Sequence, residues 1–468
     1  MISRAHSFSP WPSIVDIAAA VRAGRTTAAE QAEEAIRRIE TGNPPLNAII
    51  LFDPADIRRR AAEAGRRIVA GEDLPLAGVP VTIKDNIWVG GLRITQGSRL
   101  FADFIAPASA IAVERIEKAG AVISGISNTS EFACKGQTTN PLHGATRNPF
   151  DLSRTPGGSS GGPVAAVAGG LVPLAIGTDG GGSGRRPPAH TGLVGFKPSF
   201  GAVPNGPGFE EPVTGVSCTC PITRTVDEAR LVFEVLSGVD PRDPHSVATP
   251  MDAPRGPPRI AFTPKWGFDV PVDPDVAENM RAAVAALREA GLDVVDRDPV
   301  WPAGMAENAL APLQHAGLAA LHGAAWKADP SRIDPDLGAQ IAAGFAYTGV
   351  ETARAWLASE RVAAAAAAYF ADNAIHFAIG PTTPCCAWPI ELLGPPAIDG
   401  QAVGARGHAV FTPFFNHAKQ PAISIPSGVD RQGLPIGLQI AGPRGRDWGV
   451  LALAGRIEAI LAARGPRA

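Results

Sequence analysis

Two serines in glycine-rich turns, 24 positions apart (183 − 159), constrain this chain more than any other feature. They lie in residues 155–200, TPGGSSGGPVAAVAGGLVPLAIGTDGGGSGRRPPAHTGLVGFKPSF, with an apolar Ala/Val segment between them. Glycine supplies turns with positive φ and lets a ligand approach bare backbone N–H groups. Two such turns, each holding a serine, point to acyl chemistry. The rest of the chain must then supply a base and a scaffold.

The scaffold reads as α/β. Residues 13–23 and 26–39 have helical spacing, and Asn43-Pro44-Pro45 is expected to end the second helix. A short extended segment over 46–51 and an Arg/Ala-rich helix over 53–70 follow. Val79, Val81 and Ile83 alternate as in a strand, which turns Thr82 and Lys84 to the opposite face. A helix over 108–119 and a strand over 121–124 complete an αβ step of the kind found in layered sheets. Around the serines, 163–169 reads as a short helix, 171–176 as a buried strand and 192–197 as another strand. A strand, helix and strand over 260–263, 275–290 and 292–295 repeat the pattern. Helices over 305–321 and 352–369 suggest a lid or wall. Apolar segments at 375–380, 422–426 and 436–441 precede a last helix over 447–463. No linker interrupts these units, so a single domain over 1–468 is expected, with a helical cap (1–70), a core (75–230) and a helical insertion (about 300–370) on the substrate side.

Charge excludes one class of function. With 42 basic and 45 acidic residues the net charge is −3, and no basic block gives nucleic acid an electrostatic footprint. No run approaches the ~18 apolar residues of a membrane span, and MISRAHSFSPWPS lacks the apolar region of a signal peptide, so a cytoplasmic protein is expected. The five cysteines, Cys134, Cys218, Cys220, Cys385 and Cys386, form neither a disulfide framework nor a zinc pattern and read as reduced thiols.

Several chemistries compete for the glycine turns. A phosphate loop needs a terminal Gly-Lys-Ser/Thr, which neither turn has. A dinucleotide fingerprint needs a long helix after its glycines, and Arg185-Arg186-Pro187-Pro188 cannot start one. Gly157-Gly158-Ser159-Ser160-Gly161 satisfies G-x-S-x-G, but residues 151–156 do not form the apolar strand that a hydrolase elbow requires. No S-x-x-K occurs. Serine chemistry with a separately placed lysine base remains.

The residues that fit this last reading also carry a family resemblance. GVPVTIKDN around Lys84, GGSSGG at Ser159, and GTDGGGS at Ser183 followed by Arg185, Pro187 and GFKPS resemble the amidase signature family. NTSEF, TRNPFD, PITRTVDEA, GPTTP and PAISIPSG…LPIGLQIAG extend the likeness over most of the chain, weakening over 244–371. The resemblance implies a large mixed twisted β-sheet covered by helices on both faces. It implies Ser183 as nucleophile, Ser159 as a bridging serine on a cis peptide, and Lys84 as general base. Burial on an apolar strand would lower the lysine to a usable pKa. The amides of Gly180, Gly181, Gly182 and Ser183 are expected around the oxyanion, with Ser160 beside the substrate and Asp179 and Arg185 as a bracing ion pair.

The implied reaction is hydrolysis of a small-molecule amide through an acyl-enzyme, with no cofactor, no metal ion, no nucleic acid and no membrane, and with a homodimer as a possible assembly. Departures from the family pattern bear on substrate: Pro163, Gly184, and Asn416-His417-Ala418-Lys419-Gln420. Arg186 is a candidate for a substrate carboxylate, equally readable as a surface residue. Phe101, Phe104, Cys134, Trp388 and Phe414 are candidate pocket walls. Two alternatives stand beside this reading: the glutamine-hydrolysing A component of a tRNA-dependent amidotransferase, and a non-catalytic scaffold homologue.

Overall fold

A computed structural model describes residues 9–251, 256–305, 309–372 and 374–463. Helix α1 (Ile14–Arg22) starts where the Ser13 hydroxyl accepts the Asp16 amide, and α2 (Ala28–Leu46) opens on a reciprocal Thr27–Glu30 capping box. The sequence places the end of this helix after residue 39, with Asn43-Pro44-Pro45 as the stop; the helix runs on through both prolines to Leu46. Proline's fixed φ is helical and its cost is the missing donor, which falls here on a turn open to solvent. The stop comes instead from Asn47 at φ 50°, while the Asn43 side chain accepts the next two amides, Ala48 and Ile49, each at 2.9 Å.

The chain then builds β1 (Ile49–Leu51), β2 (Pro80–Lys84), β3 (Val122–Ser127), β4 (Leu174–Asp179), β5 (Val194–Lys197), β6 (Cys218–Thr223), β7 (Arg259–Phe262), β8 (Asp293–Asp296) and β9 (Phe377–Pro381). A small hairpin, β10 (Ala397–Ile398) and β11 (Gln401–Ala402), stands apart, and β12 (Ala422–Val429) and β13 (Pro435–Ala441) return to the main sheet. That sheet has 11 strands in the order β1-β3-β2-β4-β6-β5-β12-β13-β9-β7-β8. It is mixed: β2 runs parallel to β3 and β4, while β4–β6 and β12–β13 are antiparallel. The strand expected at 171–176 runs on to Asp179, because Thr178 and Asp179 pair with Thr219 and Cys218 of β6.

Helices cover both faces. On one, Val81 and Ile83 of β2 and Leu174 and Ile176 of β4 join the main core with Phe233 of α7 (Val226–Leu236) and Ile457 of α13 (Asp447–Ala462). Residues 17 and 113, from α1 and α4 (Ile111–Lys118), and Met280 from α8 (Pro274–Glu289), pack into the same core. On the other face, Ala175 and Ile222 pack against Val164 and Val167 of α5 (Gly161–Ala168). Here α3 (Pro54–Val69) packs with α2, Ile57 and Ala61 meeting Ala32 and Ile36. Helix α6 (Arg186–His190) lies so close to β13 that a Cβ added to Gly437 would sit 2.5 Å from that of Ala189. Alternation along β2 therefore does what the sequence implied: it sends its apolar residues to the main core and Thr82 and Lys84 to the α5 side.

Three helices follow β8: α9 (Ala311–Ala328), α10 (Pro335–Ala346) and α11 (Gly349–Asp372); α12 (Pro413–His417) precedes β12. The helix expected over 305–321 falls partly on 306–308, which lie outside the described residues; α9 begins at Ala311 and extends to Ala328. Among the described residues, no helix is long and apolar enough to cross a membrane.

Candidate active site

Lys84, Ser159 and Ser183 arrive from three separate elements and meet on the α5 face. Lys84 ends β2, Ser159 lies in the loop entering α5, and Ser183 follows β4. Lys84 Nζ stands 2.8 Å from Ser159 Oγ, and Ser159 Oγ stands 3.1 Å from Ser183 Oγ. The Ser159 amide also donates to Ser183 Oγ at 3.0 Å, and the Gly158–Ser159 peptide bond is cis. Backbone crowding explains the glycines of this turn: a Cβ at Gly162 would fall 2.3 Å from the Asn128 amide nitrogen.

Burial decides the charge on Lys84. The side chain is wholly inaccessible, and desolvation pulls its ammonium from 10.5 down to about 7, against the opposing pull of more distant groups such as Asp179. Its second partner is Thr178 Oγ1 at 2.8 Å, which also accepts from Asn86 Nδ2 at 3.1 Å. A neutral amine has two N–H bonds and one lone pair. With Thr178 accepting an N–H, the lone pair is left for the Ser159 hydroxyl. The sequence reading did not single out Thr178; it comes within reach of Lys84 because β2 and β4 are parallel neighbours whose C-terminal ends lie side by side.

The loop carrying Ser183 is braced from below. Asp179 and Arg185 form a wholly buried ion pair, Nε to Oδ2 at 2.8 Å and Nη2 to Oδ1 at 3.1 Å. Burial alone would raise the Asp179 carboxyl, but the Arg185 guanidinium outweighs it and holds the acid well below the usual carboxylate range. Asp179 also accepts the Gly182 amide at 2.6 Å and the Gly184 amide at 3.1 Å. This narrows one expectation: the Gly182 N–H is committed to Asp179, whereas among the described residues the amides of Gly180, Gly181 and Ser183 donate to no backbone or side-chain acceptor. Gly182 has φ 118°, and a Cβ there would lie 2.1 Å from Thr412 Oγ1, so the position requires glycine. Asn416 locks the loop from the far side, its Nδ2 donating to the Asp179 carbonyl and its Oδ1 accepting from Arg185. Ser160 turns away from the loop's mouth and donates to the Thr178 carbonyl at 3.1 Å. Gly184 is explained by β6: a Cβ would meet Cys220 Sγ at 2.8 Å.

Known proteins share this architecture. The profile of the family described as Amidase matches residues 30–451. An acylamidase of Rhodococcus erythropolis is 35% identical over 464 residues, covering 96% of this chain and 95% of that protein. The chain belongs to the amidase signature family. The A component of the glutamyl-tRNA(Gln) amidotransferase of Deinococcus radiodurans is 34% identical over 480 residues, covering 95% of this chain and 96% of that one. Among solved structures, a bacterial aryl acylamidase of the same family superposes with a TM-score of 0.89 at 30% identity, covering 96% of both chains.

In this amidase the Ser183 loop opens into a cavity of about 610 Å³. Of the expected walls, Cys134 and Phe414 line it; Phe101, Phe104 and Trp388 do not. Phe101 and Phe104 pack behind Phe209, each with ring centroids 5.0 Å from it, and Phe209 takes the wall position. Trp388 is buried with Cys385 and Ile398. Phe132 and Tyr347 are further aromatic walls that the sequence reading missed. Burial pushes the Cys134 thiol up to about 12, so it is a wall and not a nucleophile. Arg186 also lines the cavity and is 6% exposed, not a surface arginine. Helix α10 is tied to this wall where Lys135 pairs with Asp334 at 2.6 Å and Glu131 accepts the Asp334 amide. Among the described residues no group of His, Cys, Asp or Glu is arranged to hold a metal ion.

Proposed function

We propose that this amidase hydrolyses a small-molecule carboxamide to a carboxylate and ammonia or an amine through a seryl acyl-enzyme, with Ser183 as nucleophile, Ser159 as proton relay and Lys84 as general base. The observation that carries the reading is the continuous path from Ser183 Oγ through Ser159 Oγ to Lys84 Nζ, in steps of 3.1 and 2.8 Å, ending on an amine that is neutral above about pH 7.

As Ser183 Oγ attacks the carbonyl carbon, its proton passes to Ser159 Oγ, whose own proton passes to Lys84 Nζ. The oxyanion forms where the amides of Gly180, Gly181 and Ser183 are uncommitted; one such donor contributes about 3–4 kcal/mol to the transition state. The proton returns along the same path to the leaving nitrogen as the C–N bond breaks. Water then attacks the acyl-enzyme with the same base, freeing the carboxylate and Ser183. The reading needs no cofactor and no partner protein. The five free cysteines support cytoplasmic residence, where thiols stay reduced.

A panel of aliphatic, aromatic and carboxylated amides, assayed for ammonia or amine release, tests the proposal. Release by wild-type protein that disappears in Ser183→Ala supports it; equal release by both rejects it. The amidotransferase reading keeps a specific observation in its favour, the 34% identity to the Deinococcus radiodurans protein. Glutamine hydrolysis that appears only with partner proteins would decide for it.

A further inference from the structure

Arg186 is a buried cation without a counter-ion. It lines the cavity beside Ser183, is 94% buried by its 6% exposure, and its Nε is enclosed with no partner. Among the described residues no acceptor or carboxylate bonds its guanidinium. Asp179, the acid whose charge acts on it, is already shared between Arg185, Asn416 and the amides of Gly182 and Gly184. The two buried imidazoles that feel its charge, His190 and His408, are held neutral by burial first and by Arg186 second. Burial, with the Arg406 charge next, lowers Arg186 to about 9, which leaves it cationic at neutral pH.

Burying a charge without a partner is strongly unfavourable, and folded proteins retain one where a ligand completes the pair. A guanidinium fork matches the two oxygens of a carboxylate. Position narrows the class further. A Cβ on Gly182 would lie 2.8 Å from Arg186 Nε, so the cation packs against the loop that presents Ser183. A carboxylate held there is separated from the scissile carbonyl by a short span.

Resting on Ser183 as the attacking serine, we infer that the substrate is an amide that also carries a carboxylate a few bonds from the scissile carbonyl, and that Arg186 binds that carboxylate and sets the specificity.

The test compares the half-amides of malonic, succinic, glutaric and adipic acid with their methyl-ester amides, in wild type and Arg186→Met. In wild type at least one half-amide is favoured in kcat/KM by on the order of 10- to 100-fold, as expected for charge-assisted hydrogen bonds. In Arg186→Met that ratio collapses toward one; should this variant fail to fold, Arg186→Gln reads the same ratio. The free dicarboxylates should raise the Tm of wild type and leave that of the variant unmoved. A wild-type ratio near one across the series, or a high ratio that survives in the variant, overturns the inference. The two claims fail separately. Ser183-dependent hydrolysis of the ester amides without any half-amide preference removes the Arg186 inference alone. An Arg186-dependent half-amide preference and Tm shift in a protein whose hydrolysis survives Ser183→Ala removes the serine reading alone.

Discussion

The backbone amide and the hydroxyl of Ser159 both meet Ser183 Oγ, at 3.0 and 3.1 Å. The amide occupies one acceptor site on the Ser183 oxygen and fixes it within proton-transfer distance of Ser159 Oγ. Replacing Ser159 with Ala keeps the amide contact and removes only the relay. Steady-state kinetics should show kcat reduced by roughly 10²–10⁴, the range of a lost acid–base group, with a smaller change in KM. A kcat close to wild type would mean the proton takes another route.

Lys84 makes the account sensitive to pH in two ways. Its amine is neutral above about pH 7, so kcat/KM should rise with pH through about 7 and level off, and Lys84→Met should lose that limb. Stability carries the same signature. Between about 7 and 10.5 the unfolded chain holds a proton that the folded chain does not, so this group makes stability rise with pH across that window. The penalty of burying the ammonium is therefore full below about pH 7. In denaturant titrations Lys84→Met should exceed wild type in stability most at or below pH 7, with the margin shrinking toward pH 10. A margin independent of pH would contradict the buried amine.

Asp179→Asn breaks a buried pair while leaving the Arg185 charge in place. The expected loss is about 3–5 kcal/mol of unfolding free energy in urea, together with lower kcat as the Ser183 loop loosens. A loss below about 1 kcal/mol, the size seen for exposed pairs, would show that Asp179 does not brace the loop.

Two neighbouring glycines should respond differently. At Gly182 a Cβ would collide with Thr412 Oγ1 at 2.1 Å, whereas at Gly180 it would meet nothing nearer than Ser217 Cβ at 3.8 Å. Gly182→Ala should abolish most turnover and lower Tm, and Gly180→Ala should retain the wild-type Tm. Equal effects in a parallel assay would mean that the loop is not held as described.

Much of the site was legible because short-range patterns encode it. Alternation at Val79, Val81 and Ile83 is enough to place Lys84 on the opposite face of β2, and the glycine turns mark both serines. What escaped the sequence depends on distant partners. Asn416 reaches Arg185 from 231 positions further along, and Thr412 fills the space over Gly182. The Gly182 amide looked available because nothing local shows that Asp179, three residues earlier, folds back to take it. Phe209 was missed as a wall because residues 205–217 form no helix or strand, so no periodicity marks an inward face. Arg186 was ambiguous for the opposite reason: a charged residue next to Arg185 reads as a surface residue until its burial is known.

The central claim is that Ser183, not Ser159, carries the acyl group. Labelling with a fluorophosphonate followed by peptide mass spectrometry tests it directly. One adduct is expected, on Ser183, absent from Ser183→Ala and slower to form in Lys84→Ala. An adduct on Ser159, or labelling undiminished in Ser183→Ala, would contradict it.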